Sequence, residues 1–158
     1  MADRRDPARA FRWIVGLLEE LAIPFLLVGG LAARAYGASR ELADIDFYVP
    51  GDRLLDIARA ASQFVTAGPE RVVSAYWDIT FMKLEYAGQC IELGAAEDVR
   101  IRNGATGQWV REPVDLGAGE LKEVFGLRVP VITRERLLAY KRRLRRPVDL
   151  ADIEDLDP

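Results

Sequence analysis

Histidine is absent from this 158-residue chain, cysteine occurs only at Cys90, and lysine only at Lys83, Lys122 and Lys141. Without histidine there is no imidazole general base, none of the serine or cysteine triads that depend on one, and none of the commonest transition-metal ligands. A single thiol forms no intrachain disulfide and cannot build a multi-thiolate zinc site. Carboxylates remain as the natural catalytic groups, and carboxylates favour hard cations such as magnesium. No apolar run approaches the length of a membrane span, and the start "MADRRDPARAFRW" lacks the apolar stretch of a signal peptide, so the reading is a cytoplasmic protein with no membrane partner. The net charge of −3 exerts no global pull on nucleic acid, which any such partner would have to overcome through a local patch. Half of the residues are hydrophobic and 30% are charged, the composition of a folded globular chain. The length predicts one domain spanning 1–158, with 133–158 as a helical tail.

The periodicities predict an α/β protein. "DPARAFRWIVGLLEELAI" reads as a helix capped by Asp6, started by Pro7 and burying Phe11, Ile14, Leu18 and Leu21. Pro24 forces an extended start to "PFLLVGG", a short buried strand closed by two glycines, after which "LAARAYG" has room for about two helical turns. In "DIDFYVP", Ile45, Phe47 and Val49 alternate with Asp44, Asp46 and Tyr48, the period of a strand with one apolar face. Asp44 and Asp46 therefore leave the sheet on the same side. "GDRLLDIARAASQF" reads as a helix capped by Asp52, with Leu54, Leu55, Ala58, Ala61 and Phe64 inward. "DITFMKLEY" and "QCIELGA" read as strands joined at Ala87–Gly88; a two-residue turn there places Tyr86 opposite Gln89 and Lys83 opposite Glu92. Between 94 and 128 the pattern suggests a turn at "IRNGATGQW" and a loop entering a short helix at "LGAGELKEVFG". A last strand "LRVPVI", a helix capped by Thr133, and a final helix opened by Pro147 complete the chain.

An apolar strand, a double glycine, a short helix and then Asp-Ile-Asp on a strand resemble the nucleotidyltransferase superfamily that includes DNA polymerase beta. The look is closest to its small prokaryotic members, related to antibiotic nucleotidyltransferases and to abortive-infection and toxin-antitoxin proteins. The likeness is carried by residues 25–50, then 80–93 and the tail "RERLLAYKRRLRRPVDLADIEDL". It implies a mixed, mostly antiparallel sheet flanked by helices, mainly on one side, with an acidic cleft on the other. It also implies an enzyme that moves a nucleoside monophosphate from a nucleoside triphosphate, ATP by expectation, to a hydroxyl on a small molecule, protein or RNA. Two magnesium ions would be held by Asp44, Asp46 and a third acid, for which Glu92 is the candidate and Asp78 and Glu85 the fallbacks. Gly29 and Gly30 would admit the triphosphate to the start of the following helix, with Arg40 and Lys141 as its cations. Gly30 stands where many relatives carry serine, and Glu92 where aspartate is commoner.

Other readings of the same residues stay open at this point. Glu92 serves equally as the ion-pair partner of Lys83, Arg40 as a surface ion-pair residue, and Trp13, Trp77 and Trp109 as packing. The whole chain reads alternatively as a nucleotide-binding or interaction module without chemistry. A third reading is a nucleic-acid-binding protein using "KRRLRR" at 141–146, a run usually found on a solvated helix face. A homodimer or a partner protein is expected to complete the cleft of so short a chain.

Overall fold

The computed structural model describes residues 4–158. Its helices are α1 (Pro7–Glu20), α2 (Gly29–Ala35), α3 (Leu54–Ala60), α4 (Arg134–Leu144) and α5 (Pro147–Leu156). Its strands are β1 (Leu26–Val28), β2 (Ile45–Val49), β3 (Val65–Val73), β4 (Trp77–Tyr86), β5 (Gln89–Ala95), β6 (Arg100–Arg102), β7 (Trp109–Arg111), β8 (Glu120–Val124) and β9 (Leu127–Val131). All nine strands join one sheet in the order β7-β6-β4-β5-β2-β1-β9-β8, with β3 on the free flank of β4. The β1–β9 and β2–β5 pairings are parallel and the others antiparallel, the mixed, mostly antiparallel sheet expected.

Local chemistry explains most elements. Asp6 Oδ1 accepts the Arg9 amide at 3.0 Å to cap α1, and Phe11, Ile14 and Leu18 are buried along one stripe. Phe11 stacks on Phe47, with ring centroids 5.9 Å apart, so α1 covers the apolar face of β2. The glycine pair does not lie in a loop: Gly29 and Gly30 are the first two residues of α2, entered directly from β1. Thr133 Oγ1 accepts from the Arg136 amide to start α4, and the Asp149 carboxylate accepts the Arg146 amide at 3.0 Å to start α5.

Two sequence expectations are corrected and one strand is added. Asp52 caps no helix: the chain makes one tight turn at Gly51–Arg53 before α3, which buries Leu54 and Ile57 and leaves Leu55 58% exposed. Residues 65–73 form a nine-residue edge strand, β3, whose pattern is interrupted by Gly68 and Pro69. "GELKEVFG" is no route into a helix: β8 turns back through Phe125 and Gly126, both at positive φ, to pair with β9 in register Val124↔Leu127. The expected turn near 103–108 is present, as the tip of the β6–β7 hairpin. α4 and the start of α5 also reach the acidic face, which they border through Tyr140 and Arg146.

Candidate active site

The acidic face follows from strand register. Val28 pairs with Asp46 across β1 and β2, and Asp46 pairs with Glu92 across the parallel β2–β5 ladder, so residues far apart in sequence become direct neighbours. On β5, Ile91 and Leu93 are fully buried, which fixes the intervening Glu92 on the other face, beside Asp46. The Ala87–Gly88 turn adopts positive φ at both residues and holds the register read from the sequence, Tyr86↔Gln89 and Lys83↔Glu92. Asp44, Cys90 and Glu92 each present a ligand atom within 4.8 Å of the others. The fallback acids lie elsewhere in the wiring: Asp78 is paired with Arg71 at 2.7 Å, and Glu85 is exposed.

The electrostatics of the cluster are those of crowded carboxylates. Burial, followed by the charges of Glu92 and Asp44 and a hydrogen bond to Glu92, pushes the Asp46 carboxyl well above its ordinary value. Lys83 Nζ lies 3.4 Å from Glu92 Oε1, and the negative charge of Glu92 raises the lysine in turn. Burial, then Asp44 and Glu92, pushes the Cys90 thiol up to about 12, so it stays protonated at neutral pH. A divalent cation relieves such crowding by replacing the shared proton, and the oxygen-rich donor set of Asp44, Asp46 and Glu92 suits a hard one.

The cluster forms the floor of a cleft of about 400 Å³, also bordered by Gly29, Lys83, Trp77, Phe81, Tyr140 and Arg146. Gly29 has φ +69°, and a Cβ there would drive into Asp46 Oδ2, so only glycine leaves the carboxylate in place. The Gly29 amide donates to Tyr140 Oη at 3.0 Å, tying the β1–α2 bend to α4.

The two cations named from the sequence sit beside this cleft and do not line it. The Arg40 guanidinium forks onto Asp152 with two bonds of 3.0 Å, and its Nη2 occupies the space above Gly30, 2.9 Å from where a Cβ would stand. The absence of a side chain at position 30 thus has a structural reason. Lys141 is 1% exposed, its Nζ 3.2 Å from Asp149 and 3.0 Å from Asp152, so the basic run is not wholly solvated. Burial opposes it, yet hydrogen bonds from Arg40 and Lys141 hold the Asp152 carboxyl below its ordinary value. The cation that does reach the cleft from this network is Arg146, which forks onto Asp149 at 2.8 and 3.0 Å and lies 6.0 Å over the Trp77 ring. Sequence reasoning saw Arg146 only as one member of the run; its place just before the helix-opening Pro147 was the available signal.

The backbone superposes on solved structures of nucleotidyltransferases, and this chain has the nucleotidyltransferase fold. It superposes with TM-score 0.68 on TM1012 of Thermotoga maritima, a protein provisionally described as a nucleotidyltransferase, at 26% identity over 92% of this chain and 85% of that one. It is also similar to LnuA, a lincosamide antibiotic adenylyltransferase solved with lincomycin, at TM-score 0.62 and 14% identity over 97% of both chains. ANT(2'')-Ia, an antibiotic-resistance factor solved with adenylyl-2''-tobramycin, matches at TM-score 0.60 and 17% identity over 94% of this chain and 84% of that one. No protein-family model matches the chain, and no curated protein matches it by sequence. Among the described residues no helix is long and apolar enough to cross a membrane.

Proposed function

We propose that the chain is a magnesium-dependent nucleotidyltransferase that moves a nucleoside monophosphate from a nucleoside triphosphate, ATP first among them, to a hydroxyl acceptor. The observation that carries this reading is the meeting in one cleft of Asp46 on β2, Asp44 just before that strand and Glu92 on β5, against a side-chain-free bend at Gly29. Magnesium, when bound there, supplies positive charge to the phosphoryl oxygens and lowers the cost of deprotonating the acceptor. Asp44, Asp46 and Glu92 would hold it. Glu92, with the longest reach of the three, also takes the proton of the attacking hydroxyl. The acceptor oxygen forms the bond to the α-phosphorus as the bond from that phosphorus to the bridging oxygen breaks, and pyrophosphate leaves. Arg146 borders the cleft and offsets phosphate charge. Arg40 and Lys141, with Asp149 and Asp152, support this indirectly, because their network sets the position of Arg146. Tyr140 joins the tail helices to the glycine bend, so residues 133–158 belong to the same functional unit as the sheet.

Calorimetry with a non-hydrolysable ATP analogue is expected to show binding that requires magnesium and is lost in Asp44→Asn. Pyrophosphate release is then measured against a panel of hydroxyl compounds that includes lincomycin. Binding indifferent to both magnesium and Asp44 refutes the reading. The Lys83–Glu92 ion pair favours one alternative, a nucleotide-binding module in which the lysine replaces a cation; such a module binds the analogue and releases no pyrophosphate from ATP with any acceptor.

A further inference from the structure

We infer that the acceptor is an uncharged or anionic hydroxyl compound with an apolar face, and not a polycation; this deepens, and rests on, the transferase reading of the same cleft. Strand alternation puts Trp77, Ile79, Phe81 and Lys83 of β4 on one face, and Val72 of β3 pairs with Ile79 beside them. These side chains are all only partly buried, and all border the cleft. Together they make an apolar wall that runs to the Lys83–Glu92 pair and so meets the carboxylate floor. Trp77 is held edge-on to Tyr140, centroids 6.3 Å apart, under the Arg146 guanidinium, which makes it a fixed part of that wall.

The charges of the cleft decide what the wall can receive. Its acids are Asp44, Asp46 and Glu92, each engaged by the others, by Lys83 or by the proposed magnesium, and its cations are Lys83 and Arg146. A polycation docked there needs a carboxylate for each ammonium it desolvates, and none is left over. The neighbouring pocket of about 220 Å³, also bordered by Tyr48 and Tyr140, offers no net negative charge: its Glu112 is bonded to Arg143 at 2.6 Å. Its other acid, the exposed Asp115, shares that pocket with Arg136 and Arg143. An apolar ring has the wall to cover, and a negative group has Lys83 at the wall's end.

The test is ligand-observed NMR titration of the whole chain with phenyl β-D-glucoside, phenyl β-D-glucuronide and tobramycin, each with and without magnesium and a non-hydrolysable ATP analogue. At least one phenyl glycoside is expected to bind tenfold or more tighter than tobramycin. Phe81→Gln should weaken that binding at least fivefold, with Val72→Ser as the milder variant if Phe81→Gln folds poorly, and Lys83→Gln should weaken the glucuronide more than the glucoside. Tobramycin binding as tightly as both glycosides overturns the inference, as does glycoside binding unmoved by the wall variants. Self-association that blocks the glycosides, seen as concentration-dependent sedimentation, overturns it too. Failure of the ATP analogue to bind would refute the transferase reading alone, since the ranking of the three probes without nucleotide stands as a separate result.

Discussion

Replacing Asp46 with asparagine should stabilise the metal-free protein while abolishing its response to magnesium. Asp46 is crowded by Glu92 and Asp44 and its carboxyl is raised well above the ordinary value, burial being the largest cause. A group raised in the folded state confers stability that is complete below its unfolded value and is lost as pH rises through the folded one. At pH 7.5 the wild type therefore carries a cost that asparagine, which can still donate to Glu92, does not. Two like charges about 4 Å apart at an effective dielectric of 20 repel by about 4 kcal/mol. Retention of a proton and the Lys83 ammonium 3.4 Å from Glu92 remove much of that, leaving about 1–2 kcal/mol to be gained. For a chain of this length that is a rise in Tm of about 2–8 °C. Differential scanning fluorimetry in EDTA at pH 7.5 and pH 4 reads it directly: the gain should be present at the first and shrink at the second, where the wild-type carboxyl is increasingly protonated. With magnesium and an ATP analogue at about 100 times Kd the order should reverse, because ligand binding adds about 2.7 kcal/mol to the wild type only. An Asp46→Asn variant less stable than wild type in EDTA at pH 7.5, or one whose gain is as large at pH 4, would refute the reasoning.

The remaining expectations are simpler. Lys141→Met leaves the buried Asp149 and Asp152 short of a cation and should cost about 3 kcal/mol, a fall in Tm of about 6–12 °C, checked by chemical denaturation. Because Asp152 is held low by Arg40 and Lys141, its contribution is present at neutral pH and lost as pH falls through its folded value; the gap between wild type and Arg40→Met should therefore narrow in acid. Gly29→Ala sets a side chain at positive φ against Asp46 and should lower stability by about 1–2 kcal/mol together with magnesium affinity, whereas Gly30→Ala, which meets only the flexible end of Arg40, should be milder. Magnesium affinity, measured calorimetrically, should rise with pH and release protons, because Asp46 binds the metal only after losing its own.

The parts of this molecule that were legible in the sequence are those set by short-range rules. The Asp6–Pro7 start of α1, the Thr133 cap, and the β4–β5 register through Ala87–Gly88 each depend on a few adjacent residues. The register mattered most, since it paired Lys83 with Glu92. The placement of Asp46 against Glu92 needed one further step, the parallel β2–β5 pairing: the nucleotidyltransferase resemblance implied a third acid on a neighbouring strand, but no local pattern states that pairing. β3 was lost because Gly68 and Pro69 break its alternation while β4 still pairs with it on both sides of them. β8 was misread because its turn is Phe-Gly, not an Asn-Gly or Asp-Gly pair, and its Leu121 is 57% exposed. The environment of Arg40 was out of reach: a guanidinium 112 residues from its carboxylate partner leaves no trace in either segment.

The two-residue reversal between β4 and β5 also governs a locus it never touches. A one-residue slip of the register it holds would turn every β5 side chain to the opposite face, exchanging Glu92 for Ile91 or Leu93 at the mouth of the cleft and driving a carboxylate into the oily interior. Two small residues near the amino-terminal end of α1 thereby act as a remote gauge for the spacing of the acids. Such a slip would take the acids apart from a distance, with every one of them still encoded.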